Sequence, residues 1–404
     1  MKNVPKLRFS GFSDEWEEKK LGELLEFKNG INADKEAYGK GVKFINVLDI
    51  LSNNYITAEK IVGRVDIDED TLQKYGVNFG DVVFQRSSET REEVGTSNVY
   101  LDYETVTFGG FVIRGKKIGN YEPVFMNSLL KSSSARKEIT TKSGGSTRYN
   151  VGQEILSAVG LRFPKLEEQE KIANFLTKVD KIIEKQEEKV SNLEQYKKGM
   201  MQKIFSQEIR FKKDDGEEYP EWEERKIKDV ADVTTGSTPS TKVSENYGVG
   251  YMWASPVDLG NSKYIDKTKT QLSKIGFEKT RKLNSGSILV TCIGSTIGKI
   301  AIASTEMASN QQINAVYSIS NNNEYIYYYL NYNFKNYLSY ISFQAVPIIN
   351  KSQFENFDII LPDIEEQDKI ANFLSKIDTI VEKEKEKLEE LRVWKRGLLQ
   401  QMFI

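Results

Sequence analysis

The chain has 404 residues, with 57 Lys and Arg against 59 Asp and Glu, no histidine and a single cysteine, Cys292. Without histidine there is no Ser-His-Asp triad, Cys-His pair or imidazole metal site, and one cysteine excludes a disulfide framework and any multi-thiolate zinc or iron-sulfur centre. With 39% hydrophobic and 29% charged residues the chain reads as globular, and its length asks for two or more domains.

Met1 to Phe12 carries Lys2, Lys6 and Arg8 with no apolar stretch behind them, and no window approaches the roughly 20 apolar residues of a membrane span. The expectation is a soluble, cytoplasmic protein with no membrane partner, in a reducing compartment. A formal charge of -2 gives no global basic field, so nucleic-acid binding would rest on local clusters or on a partner that supplies charge.

The first globular stretch, 1–163, mixes strand and turn signals. Trp16 lies at its entry and reads as a packing residue. The strand-like Asp81-Val82-Val83-Phe84 leads into a polar turn, Gln85-Arg86-Ser87-Ser88-Glu89-Thr90-Arg91, and a second polar turn follows at Ser143-Gly144-Gly145-Ser146-Thr147-Arg148-Tyr149-Asn150. From Pro164 the period changes. Over 164–206 apolar residues recur as a heptad seam, Ile172, Leu176, Val179, Ile183, Val190, Leu193, Met200 and Ile204, interrupted by Gln186 and Lys197. Pro164 stands just ahead, and Glu167 and Glu168 fall in the first turn, where carboxylates favour the helix dipole.

The rest of the chain repeats this plan. At an offset of 198, Pro164–Phe205 aligns with Pro362–Phe403 at about 22 identities in 42 positions, sharing EEQxKIANFL outright. At an offset of 206, Trp16, Glu17, Glu18 and Lys20 match Trp222, Glu223, Glu224 and Lys226, and Gly30 and Gly80 match Gly236 and Gly286. A second globular stretch, 207–361, is therefore followed by a second helix, 362–404. Its seam is Ile370, Leu374, Ile377, Val381, Leu388, Leu391, Leu398 and Met402, interrupted by Glu384 and Lys395. A 3.5-residue repeat over five heptads asks for a coiled-coil partner, and the nearest is the other copy, as an antiparallel pair. Each helix would run roughly 60 Å at 1.5 Å per residue, long enough to act as a spacer.

Motifs of catalysis are missing. Gly294-Ser295-Thr296-Ile297-Gly298-Lys299 has neither the spacing of a phosphate loop nor Ser or Thr after Lys299. No GxGxxG and no Asn-Pro-Pro-aromatic or Asp-Pro-Pro-aromatic tetrapeptide occurs, and Pro362-Asp363 reads as a helix cap rather than a nuclease motif. Acidic residues of the helices alternate with Lys as solvated faces do. What remains is amides, hydroxyls and guanidiniums in turns. The second half offers Thr235-Gly236-Ser237-Thr238-Pro239, Trp253-Ala254-Ser255-Pro256, the Gly294–Lys299 turn and Ser309-Asn310-Gln311-Gln312. Arg or Lys fits guanine, Asn or Gln fits adenine, and Ser, Thr or Lys fits phosphate. Each loop alone also reads as an ordinary exposed turn. Two similar domains with unlike polar loops suit one scaffold tuned to two ligands.

The EEQxKIANFL helix starts, Gly236-Ser237-Thr238-Pro239, Tyr251-Met252-Trp253 with Asp258 downstream, Gly294-Ser295 to Gly298-Lys299 and Asn310-Gln311-Gln312 together resemble the specificity subunits of type I restriction-modification systems. The likeness covers the whole chain. It is weaker in the first half, where Arg86-Ser87-Ser88 replaces the Gly-Ser turn and Gly144 to Thr147 replaces the usual segment before the helix.

The resemblance implies an α+β fold: two mixed α/β target-recognition domains, each a bent β-sheet plus helices, separated by two long antiparallel coiled-coil helices in a pseudo-twofold duplication. It implies no active site in this chain, and double-stranded DNA as ligand, read as an asymmetric bipartite site with an unspecified gap. Two methyltransferase subunits, bringing S-adenosylmethionine, would make N6-methyladenine, and restriction-translocase subunits would use ATP and Mg2+. The DNA-facing candidates are Gln85, Arg86, Ser87, Ser88, Arg91, Arg148 and Tyr149 in the first domain. In the second they are Thr238, Trp253, Ser255, Ser295, Thr296, Lys299, Asn310, Gln311 and Gln312. Catalytic and metal-ligating residues are expected to be absent. Two other readings compete: a non-catalytic coiled-coil scaffold whose heads bind protein or carbohydrate, and, more remotely, a fragment of a nuclease-methylase fusion.

Overall fold

The computed structural model describes residues 4–145, 147–260, 262–338 and 347–404, so Ser146 of the second polar turn lies outside the described residues. Contacts divide the chain into two units, residues 1–187 with 386–404, and residues 188–385.

In the first unit, Glu17–Lys20 pairs antiparallel with Gly160–Phe163, which closes the head just before the long helix. A four-stranded antiparallel sheet runs in the order Leu25–Asn29, Val112–Lys117, Val82–Gln85, Ser97–Val99. A three-stranded sheet has Tyr38–Ile45 at its centre, antiparallel to Arg64–Val65 and parallel to Thr107–Phe108. Val82, Val83 and Phe84 are all fully buried. A strand covered on both faces carries a continuous β-branched and aromatic run instead of alternation, which is why this segment reads as a strand despite lacking a period of two. Gly80 precedes it with a φ of 88°, a left-handed turn that favours glycine.

The second unit repeats this plan. Glu223–Lys226 pairs antiparallel with Asp358–Leu361. The main sheet runs Asp232–Thr235, Ile313–Tyr317, Ile288–Thr291, Ile300–Ala303 and gains a fifth strand, Tyr264–Ile265, in parallel. Tyr247–Ala254 lies between Thr270–Leu272 and Ala308–Ser309. Gly286, with a φ of 84°, stands where Gly80 does.

The long helices are Leu166–Phe205 and Ile364–Met402. Contacts group each head with the start of its own helix and the end of the other. In both units the helix segments run antiparallel. Asp180 meets Lys395 at 2.5 Å and Glu187 meets Arg392 at 2.7 Å in the first unit. Lys189 meets Glu384 at 2.6 Å, Glu194 meets Lys385 at 2.5 Å and Lys197 meets Asp378 in the second. The seam residues Ile172, Leu176, Val179, Ile183, Val190 and Ile204 are buried, as are Ile370, Leu374, Ile377, Val381, Leu388, Leu398 and Met402. Leu193, Met200 and Leu391 are half-buried. The interruptions at Lys197 and Lys395 are thus ion-pairing positions.

The shared helix-start motif does more than favour the dipole. Glu167 and Glu365 are exposed, but Glu168 and Glu366 are fully buried. Arg8 donates two hydrogen bonds to Glu168, both at 2.7 Å, and Arg210 does the same to Glu366 at 3.3 and 2.8 Å. Each carboxylate raises the affinity of its guanidinium for the proton, as charge-assisted bidentate pairing should. Gln169 accepts from the Glu122 N–H and donates to the Pro164 carbonyl; Gln367 accepts from the Asn322 N–H and donates to the Pro362 carbonyl. Those amides cap the entries of Pro123–Leu130 and Asn323–Tyr337.

Aromatic residues complete the joint. Trp16 packs edge-on against Phe125 and Phe403, and Trp222 against Tyr325, whose ring also meets Phe205. Both tryptophans therefore serve packing at the domain entry.

Candidate nucleic-acid interface

The loops singled out in the second head converge on one edge. Strand Ile288–Thr291 turns through Gly294–Lys299 into Ile300–Ala303, closed by Thr291 N–H to the Lys299 carbonyl and Gly298 N–H to the Thr291 carbonyl. The turn that faintly suggests a phosphate loop is a hairpin tip. Beside it, Cys292 N–H donates to the Gln312 carbonyl, Ile349 N–H to the Cys292 carbonyl, and Asn310 N–H to the Ala254 carbonyl. Gly236 N–H donates to Ile313 and Ser237 N–H to Ser309. A Cβ on Gly236 would stand 2.1 Å from the Asn310 carbonyl oxygen, so only glycine allows this approach.

Several predicted residues hold this edge in shape. Asn310 Nδ2 donates to Gln312 Oε1, and Gln312 N–H donates back to Asn310 Oδ1. Trp253 Nε1 donates to the Ser237 carbonyl, and Ser255 uses both N–H and hydroxyl to bind Asp258. Ser295, Thr238 and Gln311 are exposed. Thr238 donates to Gln311 Oε1 at 2.5 Å, which orients that amide. Thr296 closes the tip through its carbonyl, and Lys299 lays its aliphatic stem against Gly260. Arg281, which the sequence did not single out, is exposed beside this turn and donates to the Thr235 carbonyl at 2.8 Å.

The first head builds the same frame. Arg86 N–H donates to the Phe111 carbonyl, Val151 N–H to the Arg86 carbonyl, and Gly109 N–H to the Ile45 carbonyl. Gly30 N–H donates to Val112 and Ile31 N–H to Phe108. A Cβ on Gly30 would lie 2.1 Å from the Gly109 carbonyl oxygen. Bond for bond, Arg86 stands for Cys292, Val151 for Ile349, and Gly109-Gly110-Phe111 for Asn310-Gln311-Gln312. The sequence reading placed candidates on the hairpin tip but overlooked Asn32, whose side chain packs against Gly110, and the Gly109–Phe111 segment. Their signal was the Gly30–Gly236 match.

Among the first-head candidates, Arg86 and Arg148 are exposed, and Ser87-Ser88 pairs as a short strand with Tyr149-Asn150. Arg86 donates to the Gly110 carbonyl at 3.3 Å. Gln85 is buried and donates to Ser87 O, while Ser88 donates to Glu93. Arg91 reaches the carbonyls of Thr140 and Thr141 at the end of helix Ser133–Lys142, where a cation favours the dipole. Gln85, Ser88 and Arg91 thus tie the loop together, while Arg86 and Arg148 are exposed and Ser87 and Tyr149 are half-buried.

Burial pushes the Cys292 thiol up to about 12, so it stays a protonated thiol in the core. Among the described residues no group of His, Cys, Asp and Glu is placed to hold a metal ion, and no helix is long and apolar enough to cross a membrane.

These features define a duplicated α+β scaffold that presents two unlike polar loop edges on one backbone frame. Residues 13–195 and 219–392 match the type I restriction modification DNA specificity domain, and the chain belongs to that family. It is 26% identical to a putative type I restriction enzyme MjaX specificity subunit of Methanocaldococcus jannaschii, over 96% of this chain and 94% of that one. The MjaIX specificity subunit of the same organism is 33% identical over 50% of this chain and 48% of its own. The fold matches the crystal structure of a type I restriction-modification system S subunit from M. genitalium, with a TM-score of 0.58 at 14% identity over 99% of both chains.

Proposed function

We infer that this chain is the sequence-reading subunit of a type I restriction-modification assembly, non-catalytic by itself. Each head reads one half of an asymmetric bipartite site in double-stranded DNA, and partner subunits carry out adenine-N6 methylation or restriction there. The observation that carries this reading is the pair of loop edges: one set of backbone hydrogen bonds fixes both, yet Arg86, Gly110 and Phe111 in one correspond to Cys292, Gln311 and Gln312 in the other. Two copies serving one symmetric ligand would keep the same tips.

Chemistry would enter with the partners: two methyltransferase subunits bringing S-adenosylmethionine, and restriction-translocase subunits using ATP and Mg2+. A chain with a formal charge of -2 needs such partners to close around the duplex and supply phosphate contacts. Its place of work is the cytoplasm.

The test is a genome-wide map of N6-methyladenine with and without the gene. Loss of one bipartite motif is the expected result; an unchanged map while the methyltransferase is expressed would refute it. The scaffold reading, with protein- or carbohydrate-binding heads, predicts instead no salt-dependent duplex binding when a methyltransferase subunit is present. Matched insertions in both helices, between Val179 and Leu193 and at the equivalent place in the second copy, are expected to change the gap and neither half-site.

A further inference from the structure

The two loop edges differ most where Phe111 replaces Gln312. The position is defined by backbone alone: Phe111 O accepts from Arg86 N–H at 2.9 Å, and Gln312 O accepts from Cys292 N–H at 2.8 Å. Gln312 folds its amide back onto Asn310 and the Ile293 carbonyl. Phe111 follows two glycines and is 62% exposed, while its neighbour Val112 is fully buried. A core role does not explain the ring, because the same backbone site takes an amide in the other head. Solubility would favour a polar residue there. On the preceding residue, Arg86 donates to the Gly110 carbonyl and the Asn32 side chain lies against Gly110, polar groups that suit guanine, adenine or phosphate.

We propose that Phe111 is a specificity-determining residue of the first head, reading a thymine in its half-site by apolar contact of the ring with the 5-methyl group. The proposal rests on the DNA reading above. Apolar side chains distinguish thymine in the major groove by that methyl, which no other base carries there. Gly109 and Gly110 lie flat against the Phe44 ring and the Asn32 side chain, where a Cβ would clash, and the Phe111 side chain is the first of this segment to stand clear of the head. The second head, with amides at the equivalent segment, would read its half-site by hydrogen bonds.

The test uses the full chain assembled with its methyltransferase partners. The methylated motif is determined by sequencing for the parent, for Phe111→Ala and for Phe111→Leu, and binding is measured on duplexes in which each thymine of the first half-site is replaced in turn by deoxyuridine. Expected for Phe111→Ala is relaxed choice at one first-half position, with the second half-site and the gap unchanged, and discrimination there reduced by about 5- to 100-fold. Deoxyuridine at that position should weaken the parent and leave Phe111→Ala unaffected, and Phe111→Leu should retain much of the discrimination. An unchanged motif, a change confined to the second half-site, or a parent insensitive to deoxyuridine at every first-half thymine overturns the proposal. A parent complex that methylates no bipartite motif overturns the DNA reading itself, which separates the two failures. An exposed side chain leaves melting unchanged, so a lowered melting temperature of Phe111→Ala would count against the assignment.

Discussion

At the helix-facing end of each unit the duplication is kept in side chains. Arg8 and Arg210 clasp Glu168 and Glu366, Phe9 and Phe211 pack on Phe175 and Phe373, and Gln169 and Gln367 cap equivalent helices. At the loop edge it is kept only in backbone hydrogen bonds and in the paired glycines Gly30 and Gly236. One end is constrained by a joint that both units must make alike. The other is free to vary because the frame the two edges share is made of backbone hydrogen bonds and the glycines, and each edge adds its own side-chain bonds to it.

The largest effects should come from the joint. Arg8→Ala leaves Glu168 buried without its partner, and about 3–5 kcal/mol of stability should be lost in denaturant unfolding. Arg210→Ala should cost less, because Trp222 Nε1 still donates to Glu366 at 3.0 Å. Equal losses would show that the two joints are energetically interchangeable and blunt the comparison. Next come the edge glycines. Gly30→Ala and Gly236→Ala each force a Cβ onto a carbonyl oxygen 2.1 Å away, at about 1–3 kcal/mol. Each should spoil one half-site of the methylation motif and spare the other; loss of both from either change would break the assignment of one edge to one half-site.

A smaller effect is expected where the joint admits different solutions. Tyr55 and Tyr328 donate to Asp180 and Asp378, both at 2.5 Å. Burial, and then the carboxylate, hold both phenols well above their usual range. Tyr55→Phe and Tyr328→Phe should each cost about 1.5 kcal/mol in unfolding experiments, and neither should alter the motif. The smallest effect is at Cys292. Its thiol, raised by burial to about 12, adds stability that is present below the unfolded value of about 8.5 and fades as pH rises from there towards 12. Alkylation at pH 8 should be slow in the native protein and fast in urea, and equal rates would contradict the buried placement.

Much of the architecture was legible because periodicity is robust. The seams from Ile172 to Ile204 and from Ile370 to Met402 need only apolar residues at heptad spacing, and their near-identity at an offset of 198 made the duplication plain. The joint was half-legible. Trp16 and Trp222 stood out as packing residues, but Arg8-Phe9 and Arg210-Phe211 lie 202 residues apart, between the two offsets that align best, because the segment from Phe211 to Trp222 is longer than the segment from Phe9 to Trp16. The loop edge was least legible. Asn310, Gln311 and Gln312 announce themselves as amides, whereas the equivalent Gly109-Gly110-Phe111 shares no side-chain chemistry with them, and only the hydrogen-bond frame reveals the correspondence. Polar residue type also does not separate Gln85 and Ser88, which are buried in the loop, from Arg86, which is exposed.

The two phenols reach their aspartates by unrelated routes, Tyr55 from an irregular segment after a short helix and Tyr328 from the middle of helix Asn323–Tyr337. The long helices therefore demand an outcome, a hydroxyl delivered to one carboxylate, and not a particular way of delivering it. A head of quite different local structure can therefore seat on the same helices, provided it brings an arginine for the glutamate and a phenol for the aspartate.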